Sequence, residues 1–421
     1  MFRGYDVRAE FPQFSPEVAA RLGAAFSNWA KAEPIVIGRD VRTTSPLLAR
    51  AFAAGAQAAG SEVIDLGVTT TPLLAFGALE ARAVGAMISA SHNPSNFNGV
   101  KFVRKDGTDV SSDELAKIEK FSKSPVYTEW NRIGSEKKMD VSDSYLSKLP
   151  SASADLTVAL DPGNGAACRL ARLALERIGC TVKEINAEAD GTFPGRSAEP
   201  SPENLSELQS IKGVDFAVAL DGDGDRAVFL DEKGNFIRAD YILLLLGQKR
   251  KAVATVNCTS LLEDYMDVTR CRIGRTFVTE ELRKDSSIEI AGEWSGHFWF
   301  TEKFLFSDGI LAAVKMAEFL SQKQTPLSEL LAQFPKTFVH HTKIDCPEEK
   351  KLPLLSALKK RFPDSETTDG VKLKMDDGWV LVRKSNTEPV VRVSAEALSE
   401  KKAVSRAEKY GNLAAEELKS L

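Results

Sequence analysis

Apolar runs that end in acid-and-glycine turns recur along the chain. "PIVIGRDVRTTS" (34–45), "LTVALDPGNGAA" (156–167) and "FAVALDGDGDRA" (216–227) each open with aliphatic positions and close on polar turn formers. Uninterrupted apolar strands of this kind are covered on both faces, which predicts parallel or mixed sheets flanked by helices. Helical stretches fill the intervals: "SPLLARAFAAGAQAAGS" (45–61), "AACRLARLALERIGC" (166–180, followed by the strand "TVKEI") and "SDGILAAVKMAEFLSQ" (307–322). The likeness among the three turns is short, but it makes repeated domains a reasonable expectation.

Changes in this pattern divide the chain. The polar stretch 122–156 separates a first unit (1–145) from a second (146–240), and a change near Tyr241 opens a third (241–336). After "QFPKTFVHHTKID" a smaller, charged segment (337–421) follows, with strands at "DDGWVLVRKSN" and "VVRVSAEA" and a helix from about Glu400 onward. The 421 residues exceed what one hydrophobic core organises, in keeping with several domains.

Composition removes whole classes of function. The formal charge of −4 disfavours nucleic acid as a partner, though a local cationic pocket fits within that balance. The longest apolar run, "YILLLLG", is far short of a membrane span, and the N-terminus has no secretory apolar segment. Cys168, Cys180, Cys258, Cys271 and Cys346 are scattered and odd in number, which reads as reduced thiols in a cytoplasmic protein.

Four stretches carry candidate chemistry. In "DGDGDR", Asp221, Asp223 and Asp225 alternate with glycines, so an extended segment would point all three carboxylates one way. Three like charges so close repel unless a cation sits between them, and hard oxygen donors suit Mg2+. An EF-hand is a poor alternative: Glu232 fits its twelfth position, but Arg226 stands where glycine is needed and the flanks are strands. A plain acidic turn is the other reading. In "SASHNP", Ser91 and His92 follow a strand; they read as turn chemistry, as a nucleophile, or as a serine that carries phosphate. In "GEWSGHFWF", Glu293, Ser295 and His297 alternate and suit sugar hydroxyls, while the surrounding aromatics read as core. In "RKSNTEP", Arg383, Ser385, Asn386 and Thr387 form either an anion cradle or a plain turn before Pro389. No Walker-type loop or G-x-G-x-x-G occurs, so nucleotide use has no support.

Taken together and in this order, with "FRGYDVR" (2–8), "GRDVRTTSP" (38–46) and "LDPGNGAA" (160–167), these stretches resemble the α-D-phosphohexomutases, within them the phosphomannomutase/phosphoglucomutase group. The resemblance spans nearly the whole chain. It implies an α/β fold of four domains around a central cleft, three similar mixed α/β domains plus a smaller α+β C-terminal domain. It implies that Ser91 is the phosphoserine and that Asp221, Asp223 and Asp225, with the Ser91 phosphate, hold Mg2+. Arg8, His92, Lys101 and Arg226 fall at positions near the reacting groups, as does Tyr5. Glu293, Ser295 and His297 match the sugar-reading loop; Arg383, Ser385, Asn386 and Thr387 match the loop that grips the non-reacting phosphate. The implied reaction interconverts hexose 1- and 6-phosphates of mannose or glucose through a hexose 1,6-bisphosphate. A phosphoglucosamine mutase is the alternative; a non-catalytic sugar-phosphate sensor and a phosphatase are remoter ones. The chain departs from the group's pattern at Asn257, where lysine is usual, at Arg275, where histidine is usual, and at Trp294, where methionine or glutamine is usual.

Overall fold

The computed structural model describes residues 1–421 except 3, 5, 151–153, 386 and 387. The first sheet has the order β1-β5-β4-β2-β3-β6, from strands β1 (Val7–Glu10), β2 (Ile35–Arg39), β3 (Val63–Val68), β4 (Val84–Ile88), β5 (Phe97–Val103) and β6 (Glu136–Lys138). β7 (Thr157–Asp161), β8 (Thr181–Glu184), β9 (Phe216–Leu220), β10 (Ala227–Asp231) and β11 (Phe236–Ile237) form the second, in the order β11-β10-β9-β7-β8. The third, β13-β12-β14-β15, comprises β12 (Lys251–Thr255), β13 (Asp267–Cys271), β14 (Ile290–Gly292) and β15 (Phe298–Phe300). The last is wholly antiparallel, β16-β19-β18-β17, from β16 (Phe338–Asp345), β17 (Val371–Met375), β18 (Gly378–Lys384) and β19 (Val390–Ala397).

The first three sheets share one plan. A central strand (β2, β7, β12) has a parallel neighbour on each side, and one neighbour (β4, β9, β14) turns back into an antiparallel strand (β5, β10, β15). The repeated domains expected from the sequence are therefore present, but the three turns are not all equivalent parts of them. The 34–45 and 156–167 turns do follow equivalent strands, β2 and β7, but the 216–227 turn follows β9, whose counterparts are β4 and β14. Apolar strands ending in acid and glycine look alike wherever they lie in a parallel sheet, so the wording of the motif does not report its position. The polar stretch 122–156 is also more than a linker: it supplies β6 at the edge of the first sheet and the helix Ser142–Lys148.

The helices form where their caps and apolar stripes direct. Ser45–Ala58 starts on Pro46 at its second position, Gly309–Lys323 is capped by the Asp308 carboxylate accepting from Leu311 N–H at 2.9 Å, and Glu400–Lys419 closes the chain. One buried cluster runs through the second and third units and takes in Leu73, Ala75 and Phe76 from the first. Phe76 packs edge-on against both Tyr145 and Phe304, with centroids 5.7 and 5.5 Å away, tying the first unit to the third. The antiparallel sheet has its own smaller core, built on Leu354, Val380, Val391, Val393 and Ala407. All five cysteines are free and buried, and no helix among the described residues is long and apolar enough to cross a membrane.

Candidate active site

The shared plan places three loops at equivalent positions, where a buried parallel strand turns back: β4–β5 carries Ser91, β9–β10 the aspartates, and β14–β15 Glu293, Ser295 and His297. All three lie at the C-terminal ends of parallel strands, where open α/β sheets leave a crevice for ligands. The last two loops are joined directly, since Ala227 N–H donates to Gly296 O at 2.9 Å and Arg226 pairs with His297 in an isolated bridge.

Neither acidic stretch is extended, which corrects the expectation drawn from alternation. Residues 221–226 form a tight turn, in which Gly224 N–H donates to Asp221 O at 3.1 Å and Gly224 takes φ +74°. Glu293–His297 is likewise a turn, closed by Glu293 N–H to His297 O at 3.0 Å. Curling the backbone focuses the carboxylates where alternation would only align them. Ligand oxygens of Asp221, Asp223 and Asp225 lie within 4.8 Å of one another, and all three residues are fully buried.

Ser91 reaches this cluster from the first unit. Its hydroxyl donates to Asp221 Oδ2 at 2.9 Å, and its backbone sits in the left-handed region at φ +53°, an uncommon conformation for a non-glycine residue. His92 Nδ1 lies 3.4 Å from the same hydroxyl. Burial, then Arg226, Arg8 and Lys101, hold His92 well below the ordinary imidazole value, so it is neutral near pH 7. Arg8 donates to Ala90 O at 3.0 Å and Asn93 Oδ1 at 2.6 Å, and pairs with Asp6 at 2.7 Å.

Protein cations neutralise one side of the triad. Lys101 Nζ, itself buried, is 2.6 Å from Asp223 Oδ2 and 2.8 Å from Asp225 Oδ2, and Arg275 Nη1 is 2.7 Å from Asp225 Oδ2. Burial acts against ionisation at all three aspartates. Lys101 overcomes it for Asp223, and Lys101, Arg275 and His297 overcome it for Asp225, so both are lowered. At Asp221 burial, then Asp225 and Asp223, outweigh Arg226 and Lys101 and push the carboxyl up to about 7. Among the described residues no donor meets the buried Asp223 Oδ1, while the buried Asp225 Oδ1 has His297 Nε2 at 3.3 Å. A buried carboxylate oxygen without a donor, clustered with two further carboxylates within 4.8 Å, fits a hard divalent cation.

In the third loop, His297 Nδ1 lies 2.8 Å from Glu293 Oε2 and 2.9 Å from Ser295 Oγ, while Arg226 Nε approaches Nε2 at 3.4 Å. Phe298, Trp299 and Phe300 are core, as expected; Trp294 instead packs under the Arg238 guanidinium (4.7 Å) and edge-on to His341 (5.7 Å). The last unit meets this loop through two adjacent amides. Gly274 N–H donates to Glu293 Oε1 at 2.8 Å, Ile273 N–H to Asp369 Oδ2 at 3.2 Å, and Arg383 Nε sits 3.2 Å from that same Asp369 oxygen. Beneath the last loop, buried Lys351 Nζ holds the carbonyls of Ser385 (2.9 Å) and Glu388 (2.8 Å). Tyr5, Asn386 and Thr387 lie outside the described residues.

Sequence reasoning missed several participants. Thr71, at the start of the helix Thr71–Ala81, donates its hydroxyl to Asp223 Oδ2 at 2.6 Å and its amide to Asp223 O at 2.9 Å. Asp109 pairs with Arg275 at 3.1 Å, so that departure from the family pattern is a bridge between the first and third units and the triad. Among the described residues no donor meets the buried Asn257 Oδ1. Thr-Thr-Pro reads as an ordinary helix start, and nothing in its spacing indicates an aspartate 152 positions away.

Comparison with known proteins agrees along the whole length. Residues 1–127, 142–234 and 235–338 match the phosphoglucomutase/phosphomannomutase alpha/beta/alpha domains I, II and III, and residues 342–410 match the C-terminal domain of that family. A Thermococcus kodakarensis protein named phosphoglucomutase/phosphomannomutase is 34% identical over 93% of each chain. A Methanocaldococcus jannaschii phosphoglucosamine mutase is 33% identical over 97% of each. The crystal structure of a phosphoglucomutase/phosphomannomutase family protein from Burkholderia thailandensis superimposes with a TM-score of 0.89 at 28% identity, covering 99% of this chain and 97% of that one.

Proposed function

The chain belongs to the phosphoglucomutase/phosphomannomutase family, and from that premise we propose that it interconverts the 1- and 6-phosphates of glucose or mannose, with Ser91 as phosphoryl carrier. The observation that carries this reading is the meeting of Ser91 Oγ with Asp221 at 2.9 Å inside a buried carboxylate cluster. A reactive hydroxyl beside clustered acids is a poor place for a neutral turn but a good one for a metal-bound phosphate.

Asp221, Asp223, Asp225 and the Ser91 phosphate would hold a divalent cation, Mg2+ by the hardness of the donors, which when bound draws charge from the phosphate. In the first half-reaction the Ser91 Oγ–P bond breaks as a sugar hydroxyl oxygen bonds phosphorus; that hydroxyl's proton passes to a nearby base, and the departing Ser91 oxygen takes up a proton to become the free hydroxyl. His92, held neutral, has a ring nitrogen available for it; Lys101, engaged by two carboxylates, serves as a fixed positive charge. Arg8 and Arg226 add positive charge where the phosphoryl group moves, the main source of rate in such transfers. The bisphosphorylated sugar then turns over, and its other phosphate returns to Ser91.

Glu293, Ser295 and His297 would read the sugar hydroxyls, and Arg383, Ser385, Asn386 and Thr387 the phosphate that does not react, with Tyr5 near the reacting end. The separate core of the last unit supports its moving as a body to close over substrate. The name of the Methanocaldococcus jannaschii relative favours glucosamine phosphate as a second reading. Assays on glucose, mannose and glucosamine phosphates separate the two. Intact mass and peptide mapping should find phosphate on the Ser91 peptide, and Ser91→Ala should lose turnover while folding normally; turnover without that hydroxyl refutes the carrier role.

A further inference from the structure

The geometry points to Arg42 as a positioning residue that fixes the backbone of the Ser91 loop during phosphoryl transfer; the inference rests on Ser91 being the carrier. Arg42 belongs to "GRDVRTTS", a stretch to which the reaction assigns no task. Its side chain is completely buried, which is costly for a guanidinium unless every donor is met.

Here the donors are met by one loop. Nη2 donates to Ser91 O at 2.8 Å and Asn93 O at 2.6 Å, and Nη1 to Phe97 O at 3.2 Å and to Pro94 O. Nε pairs with Asp40 Oδ2 at 3.0 Å, which balances the charge. The planar fork thus gathers four carbonyls of 91–97 onto one rigid group, something a flexible ammonium cannot reproduce. From the second unit, the Phe193 ring covers the guanidinium with its centroid 5.1 Å from Cζ.

Two consequences follow for the reacting group. Ser91 occupies the left-handed region, a conformation costing about 1 kcal/mol or more for an ordinary residue, and the clamp holds its carbonyl there. Because a trans peptide sets its C=O and N–H on opposite sides, drawing the Ser91 carbonyl onto Arg42 turns the His92 N–H the other way. The hydroxyl and the following amide are therefore held in a fixed relation while phosphate comes and goes, and only the side-chain torsion has to move.

The test is single-turnover transfer from glucose 1,6-bisphosphate to dephosphorylated enzyme, followed by rapid quench and intact mass, with rates normalised to folded protein. Arg42→Lys keeps the charge and loses the fork; transfer and kcat are expected to fall about tenfold or more with KM changed less than about threefold. Phe193→Leu removes only the covering ring and is expected to slow transfer about threefold, so the test survives if the lysine variant folds poorly. Transfer by folded Arg42→Lys or Phe193→Leu within twofold of the parent overturns the assignment. Ser91→Ala is run alongside: if it still turns over, the carrier reading fails; if it is dead while the Arg42 and Phe193 variants transfer normally, only the clamp fails.

Discussion

Ser91 Oγ and Asp221 Oδ2 lie 2.9 Å apart although 130 positions separate them in the chain. One comes from the first sheet and the other from the second, so the contact exists only when the two units are docked. Asp221→Asn keeps the shape of that contact and removes one negative charge from the cluster. Divalent-metal affinity and kcat should both fall, the latter about 100-fold or more, with the unfolding midpoint little lowered. Calorimetric titration and turnover check it; unchanged metal affinity excludes Asp221 as a ligand.

Thr71 turns Asp223 so that Oδ2 meets hydroxyl and ammonium while Oδ1 is left without a donor. Thr71→Val should weaken Mn2+ binding about 10–100-fold, the usual effect of losing a group that orients a metal ligand, and Thr71→Ser should retain it. Electron paramagnetic resonance of free Mn2+ measures this without turnover.

Gly309 has no room for a side chain. A Cβ there would lie 2.5 Å from Arg226 O and 3.0 Å from Gly224 O, both backbone atoms of the aspartate turn. Gly309→Ala must displace that turn, and a shift of about 1 Å at such a site costs roughly 100-fold in rate. Normal turnover in this variant would contradict the close packing of the helix start against the loop.

Burial, only partly offset by the Leu311 amide and Tyr145 hydroxyl, raises the fully buried Asp308 carboxyl to about 6. The folded state therefore keeps a proton that the unfolded chain has already lost, so stability falls as pH rises from about 4 to about 6 and levels off above. A shift of this size corresponds to on the order of 3 kcal/mol. Asp308→Asn should show a shallower fall across that window in denaturant unfolding, with the slope that Asp221 contributes remaining; parallel curves for the two proteins would remove Asp308 as a source.

Lys351 supports the last loop from beneath, through the carbonyls of Ser385 and Glu388. Lys351→Met should raise KM for the sugar phosphate several-fold while kcat changes less, as expected for loss of binding shared by ground and transition states. Steady-state kinetics decide; a fall in kcat alone would assign the loop a different part in the reaction.

Much of this protein is legible from residue order. Apolar strands, helix caps and Pro or Gly stops declare the elements, because those signals act within a few residues. The reacting stretches are equally plain: a serine after a strand, carboxylates spaced by glycine and an arginine before Ser-Asn-Thr each carry their chemistry locally. Periodicity, however, misjudged the shape of the two acidic stretches, since an extended segment and a tight turn place the same alternating residues quite differently. Nor does local sequence disclose that Lys101, Arg275 and Thr71 converge on two aspartates, or that Arg42 closes on four carbonyls around Ser91. Those are contacts between segments far apart in the chain, set by how three sheets pack onto a common core, and only the folded arrangement decides which buried charges meet.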